Sequence, residues 1–170
     1  MEVSAYIKGD VLDLGCGTAE ILDYINIDNY TGLDYSPEMV KKLKKKLPQH
    51  KFFTRNLDED TYCLKTKYDT ITMIAVIEHL FNQRHLFKEI IKHLKPNGRI
   101  VLTTPTPFGN DIIHRLGANM GLFSKHASDD HIVIYNKQRF KNVAREFNLK
   151  LIVYKKFQLG CNQLVVFKKK

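Results

Sequence analysis

Cysteine is scarce in this 170-residue chain: Cys16, Cys63 and Cys161 are scattered, odd in number and form no C-x-x-C pair. That excludes a disulfide framework and gives no zinc signature, and it points to a reducing cytoplasm as the expected location. Long apolar runs are missing too. The most apolar window, residues 71–77, is far too short to cross a bilayer, and no charged-then-apolar leader precedes Val11. There is no internal repeat and no low-complexity tract, so the length fits one domain spanning 1–170.

What is present begins with VLDLGCGTAE at residues 11–20, an apolar strand ending in a glycine turn that opens a predicted helix. Gly15 and Gly17 permit positive φ and close approach of backbone to a ligand. A dinucleotide fingerprint needs a third glycine at position 20, where Glu20 stands, and a P-loop needs a lysine that the turn lacks. A carboxylate there repels a diphosphate, so the expected ligand is not anionic. Asp34 closes a second short strand, where a carboxylate can accept both hydroxyls of an adenosine ribose. An adenosine carrying a sulfonium and an amino acid fits these features best.

On these residues the chain resembles the class I S-adenosylmethionine-dependent methyltransferases, and four further segments follow in that family's order. DYSPEM at 34–39 resembles its acidic strand end and next helix start, and YDTITM at 68–73 its fourth strand. VIEHL at 76–80 resembles the "EHL" helix opening of the subgroup that includes ubiquinone-pathway O-methyltransferases, and LKPNGRIVL at 94–102 resembles the turn and fifth strand. The resemblance implies S-adenosyl-L-methionine as cofactor and a Rossmann-like α/β fold. That fold is a seven-stranded, mostly parallel sheet with a C-terminal antiparallel hairpin and helices on both faces.

The alternation of segments agrees. Strands are predicted at 10–14, 29–33, 51–54, 69–74, 99–104, 150–157 and 162–168. Ser36 and Pro37 start a helix over 37–47; Leu86, Phe87, Ile90, Ile91 and Leu94 give an apolar face to one over 83–95; Asn136 caps another. Gly160 joins the last two strands as a hairpin.

The resemblance also implies a cofactor site. Asp13 orders the loop and faces the methionine ammonium, with Gly15, Cys16 and Gly17 supplying the turn and Asp34 the ribose contact. Tyr35 and Met39 flank the adenine, though Met39 suits the core equally. Asn56 and Leu57 lie by the adenine amino group, with Asp58 a competing choice, and the backbone at Ile74 and Ala75 serves the methionine end. Methyl transfer from a sulfonium is an in-line displacement that mainly needs alignment and exclusion of water. For a hydroxyl acceptor a histidine can take the proton. His79, by the cofactor turn, and His131 are the candidates, each with a structural alternative. Residues 104–130, rich in Pro, Gly and apolar side chains, read as an acceptor-side insertion or a packed helix.

The expected activity is methyl transfer to a small-molecule acceptor, at oxygen. A second reading, a metal-assisted RNA 2′-O-methyltransferase, rests on a resemblance to the small-RNA end-modifying family, which implies Glu78, His79 and His131 as three metal ligands; Ala75 stands in place of the fourth, so no metal is expected. A non-catalytic S-adenosylmethionine-binding module is the third reading. The net charge of +9 gathers at Lys41, Lys42, Lys44, Lys45, Lys46 and the terminal lysines. These positions suit the solvent face of a helix and an edge strand, with no aromatic-interleaved stripe, so nucleic acid is not the expected partner, while an anionic small substrate stays open. Few residues precede the first strand, where relatives carry a covering helical segment. A more exposed cofactor, or a homodimer that covers it, is therefore expected.

Overall fold

Short apolar runs separated by amphipathic segments give the described residues of this chain seven strands in one sheet. The structure, a computed structural model, describes residues 2–110 and 133–170. The strands are β1 (Val11–Leu14), β2 (Tyr30–Asp34), β3 (Lys51–Thr54), β4 (Tyr68–Ile74), β5 (Leu94–Pro105), β6 (Leu149–Phe157) and β7 (Asn162–Lys169), in the order β3-β2-β1-β4-β5-β7-β6. Strands β1 to β5 pair in parallel, and β7 runs antiparallel to both β5 and β6. Strand β1 is buried along its whole length, as a central strand covered on both faces must be. This is the expected Rossmann-like sheet with its C-terminal hairpin.

Three α-helices lie wholly among the described residues, α1 (Pro37–Lys46), α2 (Gln83–His93) and α3 (Lys137–Glu146), and residues 107–110 form a further helical turn. Each of the three α-helices begins at a side-chain cap. Ser36 accepts from the Met39 amide at 3.2 Å, Asn82 from His85 at 3.2 Å and Asn136 from Arg139 at 2.9 Å, each satisfying a donor that the first turn leaves unpaired. The lysines of α1 all face solvent while Val40 and Leu43 turn inward. Lys169 donates to the carbonyls of Ile91 and Leu94 at the end of α2. That member of the terminal lysine run is thus a helix cap.

Two expected helix starts differ in the structure. Beyond the glycine turn there is only a 3₁₀ turn, Glu20–Asp23. Ala19 takes a left-handed φ of 59° and the following Asp23, Tyr24, Asn26 and Asp28 are weak helix formers. The "EHL" segment likewise forms a separate 3₁₀ turn, Ile77–His79, and α2 starts later at the Asn82 cap. Helix α2 also ends at His93 rather than 95, and Leu94 already pairs with Tyr68. Pro96 explains this, because it pushes its predecessor out of helical geometry.

One core face holds Leu86, Phe87 and Ile90 of α2 and Phe140 of α3 against Leu12, Ile71, Leu102 and Phe167 of the sheet. Full burial of such side chains stabilises by about 1.5–3 kcal/mol each. A second cluster packs Val40 and Leu43 of α1 over Val11, Tyr30 and Phe52. Val3 joins Val101, Leu164 and Val166 on a third, so the described N-terminal residues pack on β5 and β7. No helix among the described residues is long and apolar enough to cross a membrane.

Candidate functional site

From β1 the chain proceeds outward to β2 and β3 on one side of the sheet, and β4 and β5 build the other side. This reversal leaves a crevice at the carboxyl ends of β1 and β4, the place where open parallel sheets bind ligands. The glycine turn lies there. The amides of Gly15 and Cys16 both donate to the Leu33 carbonyl, at 2.8 and 3.0 Å, which folds the turn across the end of β2.

The two glycines serve different ends. Gly15, at φ +68°, has no room for a side chain, since a Cβ would meet Val76 Cγ2 at 2.6 Å. Gly17, at φ +51°, has nothing within 4 Å of that position; its exposed face is open to a ligand. Asp34 fastens this arrangement. One carboxylate oxygen accepts from the Gly17 amide at 2.8 Å and the other from the Ser36 amide at 3.0 Å.

Two cavities meet at Gly15. The larger, about 500 Å³, is bordered by Asp34, Tyr35, Asn56, Leu57, Asp58, Ala75, Val76, His79, Leu80 and Phe81. The smaller, about 250 Å³, is bordered by Asp13, Cys16, Gly17, Thr18, Glu20, Ile21 and Ile74. Among the described residues their walls hold four carboxylates, Asp13, Glu20, Asp34 and Asp58, and no lysine or arginine. Such a cleft repels phosphates and favours a ligand with a neutral base at one end and positive charge at the other.

Asp13 carries the strongest electrostatic signal. It is 4% exposed. Tyr30 Oη donates to one carboxylate oxygen at 2.7 Å and Thr72 Oγ1 to the other at 2.6 Å. Burial nonetheless outweighs these two donors, and the carboxyl is pushed up to about 6. Removing water penalises the anion more than two neutral hydroxyls stabilise it. A cation bound in the smaller cavity would supply what is missing.

Among the expected cofactor residues, Asp34, Tyr35, Asn56, Leu57 and Ala75 border the larger cavity and Asp13, Cys16, Gly17 and Ile74 the smaller, with Gly15 common to both. His79 borders the larger one. Met39 borders neither and packs on the α1 core cluster, which fits the core alternative. His131, and most of the expected insertion, lie outside the described residues. Asp58 is engaged by the Asn82 amide at 2.6 Å, and Asn56 Oδ1 accepts from the Asp58 amide at 3.1 Å. Cys16 is buried, and desolvation pushes its thiol well up, so it is an inert wall.

Several contributors were not singled out by the sequence reading. Tyr30 and Thr72 hold Asp13 from the neighbouring strands. Gly32 admits Cys16, because a Cβ there would lie 2.7 Å from its Sγ and 2.9 Å from Phe52. Phe81, 76% exposed, stands with the 75% exposed Tyr35 on the wall of the larger cavity. The signal for Phe81 was an apolar residue just beyond the "EHL" turn.

A doubly wound sheet with an acidic, glycine-floored crevice defines a Rossmann-like binder of an adenosine-containing cation. Comparison with known proteins gives the family. Residues 7–154 match the family described as "Methyltransferase domain", and the chain belongs to it, within the class I S-adenosylmethionine-dependent methyltransferases, whose cofactor is S-adenosylmethionine. Malonyl-[acyl-carrier protein] O-methyltransferase 2 of Ilyobacter polytropus is 31% identical over 114 residues, covering 63% of this chain and 42% of that protein. The mitochondrial ubiquinone biosynthesis O-methyltransferase of Schizosaccharomyces pombe is 28% identical, over 55% of this chain and 37% of its own. The chain thus spans less than half the length of these relatives. In fold it is similar to a glycopeptide N-methyltransferase complexed with S-adenosyl-L-methionine, with a TM-score of 0.74, 15% identity and coverage of 99% and 85% of the two chains. A TehB-like methyltransferase from Corynebacterium glutamicum gives 0.71, 20%, 99% and 85%.

Proposed function

We propose that this chain transfers the methyl group of S-adenosylmethionine to an oxygen of a small-molecule acceptor. The observation that carries the reading is the two-lobed acidic crevice that meets at Gly15. Adenosine fits the larger lobe, with Asp34 accepting from the ribose hydroxyls and Tyr35, Asn56 and Leu57 around the base. The methionine end fits the smaller lobe, its ammonium toward Asp13 and its backbone neighbours at Ile74 and Ala75. The sulfonium supplies an already activated methyl group, so the chain's task is to align the acceptor and keep water out.

His79 borders the larger cavity from the turn after β4, and we assign it to orienting the acceptor. His131 keeps a proposed place on the acceptor side on its sequence alone. Ala75 offers no ligating side chain, which disfavours the metal-assisted RNA reading. A second copy of the chain covering the open cofactor stays part of the proposal, and solution scattering with and without S-adenosylmethionine tests it: a strictly monomeric particle at high concentration refutes it.

The test of the activity is incubation with methyl-labelled donor and separate pools of hydroxyl, amine and carboxylate compounds. Label passing to a small hydroxyl compound is the expected result. Failure in all three pools, with the donor still bound, favours a non-catalytic binding module.

A further inference from the structure

Around the turn that follows β4, three buried polar side chains each carry an oxygen without a hydrogen-bond partner among the described residues. Glu78 is 1% exposed and Thr104 1%, and Tyr135 is fully buried. Glu78 Oε2, Thr104 Oγ1 and Tyr135 Oη each lack a hydrogen-bond partner among the described residues. Native interiors rarely leave such atoms unsatisfied, and three together call for a common guest.

Their positions are set by the backbone. Ile74 borders the methionine cavity and is in register with Thr103 of β5, and the Ala75 amide donates to the Thr103 carbonyl at 3.1 Å. Thr104 is the next residue along β5. Glu78 lies on the turn that follows Ala75, with its carbonyl accepting from the Val133 amide at 3.2 Å. Tyr135 is tied to the sheet through its carbonyl, which accepts from Gln163 Nε2 at 2.7 Å, while the same nitrogen donates to the Pro105 carbonyl at 2.8 Å. Thr104 is near enough to steady the Glu78 charge; burial pushes the Tyr135 phenol up, Arg139 acts against that shift, and the nearby Glu78 charge adds to it.

We infer that Glu78, Thr104 and Tyr135 form the seat for the acceptor's reacting hydroxyl, with Glu78 accepting its hydrogen bond and then its proton. This rests on the methyltransferase reading and narrows it, since a carboxylate seat takes a hydrogen-bond donor and repels a carboxylate acceptor. In the step, the hydroxyl oxygen attacks the donor's methyl carbon. The O–C bond forms and the S–C bond breaks with its electron pair staying on sulfur. The hydroxyl proton passes to Glu78, so the sulfonium and carboxylate charges disappear together.

Burial raises the Glu78 carboxyl above the usual range, with its own backbone amide, Thr104 and the neighbouring His79 acting against the shift. The direction suits a group that must take a proton near neutral pH. Among the described residues, the other charged or titratable groups facing it are Tyr135 and, over the Tyr135 ring at 4.9 Å, Arg139 of α3.

The test uses catechol, benzylamine and benzoate as probes with wild type, Glu78→Gln and Thr104→Val. Glutamine keeps the volume of a neutral glutamate, and thermal melting checks that each variant is folded. We expect S-adenosylmethionine affinity within twofold of wild type in both variants. Methyl transfer to catechol should fall at least tenfold in Glu78→Gln, with loss of the acidic limb of the kcat–pH profile. Thr104→Val should raise KM for catechol and leave that limb in place. Calorimetry of catechol with the S-adenosylhomocysteine complex should show weaker binding to Glu78→Gln. An unchanged rate and pH profile in Glu78→Gln overturns the inference, as does preference of wild type for benzoate. Absence of donor binding in wild type would instead overturn the methyltransferase reading beneath it.

Discussion

Asp13 should make cofactor binding depend on pH. Burial lifts its carboxyl from an ordinary 3.8 to about 6 in the unliganded protein. A shift of roughly two units corresponds to about 3 kcal/mol of penalty on the ionised form. The folded chain therefore holds this proton more firmly than the unfolded chain does. Stability from the group is full below pH 3.8, declines as pH rises, and is lost above about 6. An ammonium in the smaller cavity reverses the balance by favouring the anion. Near pH 5 Asp13 must lose its proton before pairing, so affinity should fall close to tenfold per pH unit below about 6, or ~1.4 kcal/mol per unit. Calorimetric titration with S-adenosylhomocysteine between about pH 5 and 7, in buffers of different ionisation enthalpy, reads both the affinity and the proton released. Asp13→Asn should bind more weakly and lose the dependence. A flat profile in wild type, or the same slope in Asp13→Asn, would refute the role given to this carboxylate.

Other variants separate folding from binding. Gly15→Ala combines a left-handed φ with a 2.6 Å approach to Val76 Cγ2, and should cost about 2–4 kcal/mol in denaturant unfolding. Gly17→Ala meets nothing within 4 Å. It should cost only about 1 kcal/mol of stability while sharply weakening S-adenosylmethionine binding, and equal losses of stability in the two variants would contradict their assigned roles. Asp34→Ala removes the acceptor of the Gly17 and Ser36 amides and should weaken cofactor binding by about 1–3 kcal/mol, with unchanged affinity removing it from the site. Gly32→Ala should lower the melting temperature by crowding Cys16 and Phe52, and full stability would mean that the two side chains reposition freely.

What the sequence revealed was mostly local. Apolar runs located all seven strands, and the caps Ser36 and Asn136 announced their helices because capping depends on residues three apart. The glycine turn and Asp34 were legible because their spacing carries the motif. What escaped depends on register or burial. Thr72 faces Asp13 only because β1 and β4 align those residues, and Tyr30 reaches it from β2. The short turn after Ala19 was hidden by a strand–glycine–helix expectation, although the weak helix formers after it were in view. Glu78 was visible as a motif letter, whereas its burial with Thr104 and Tyr135 required segments distant in the chain to meet.

The central claim is that the crevice holds S-adenosylmethionine, and the most direct measurement is calorimetric titration of the chain with S-adenosylmethionine and S-adenosylhomocysteine, with a nicotinamide dinucleotide as control. The account predicts one site per chain with a Kd on the order of micromolar, about −8 kcal/mol, and no heat from the dinucleotide. Binding of the dinucleotide, or of neither sulfur ligand, would contradict it.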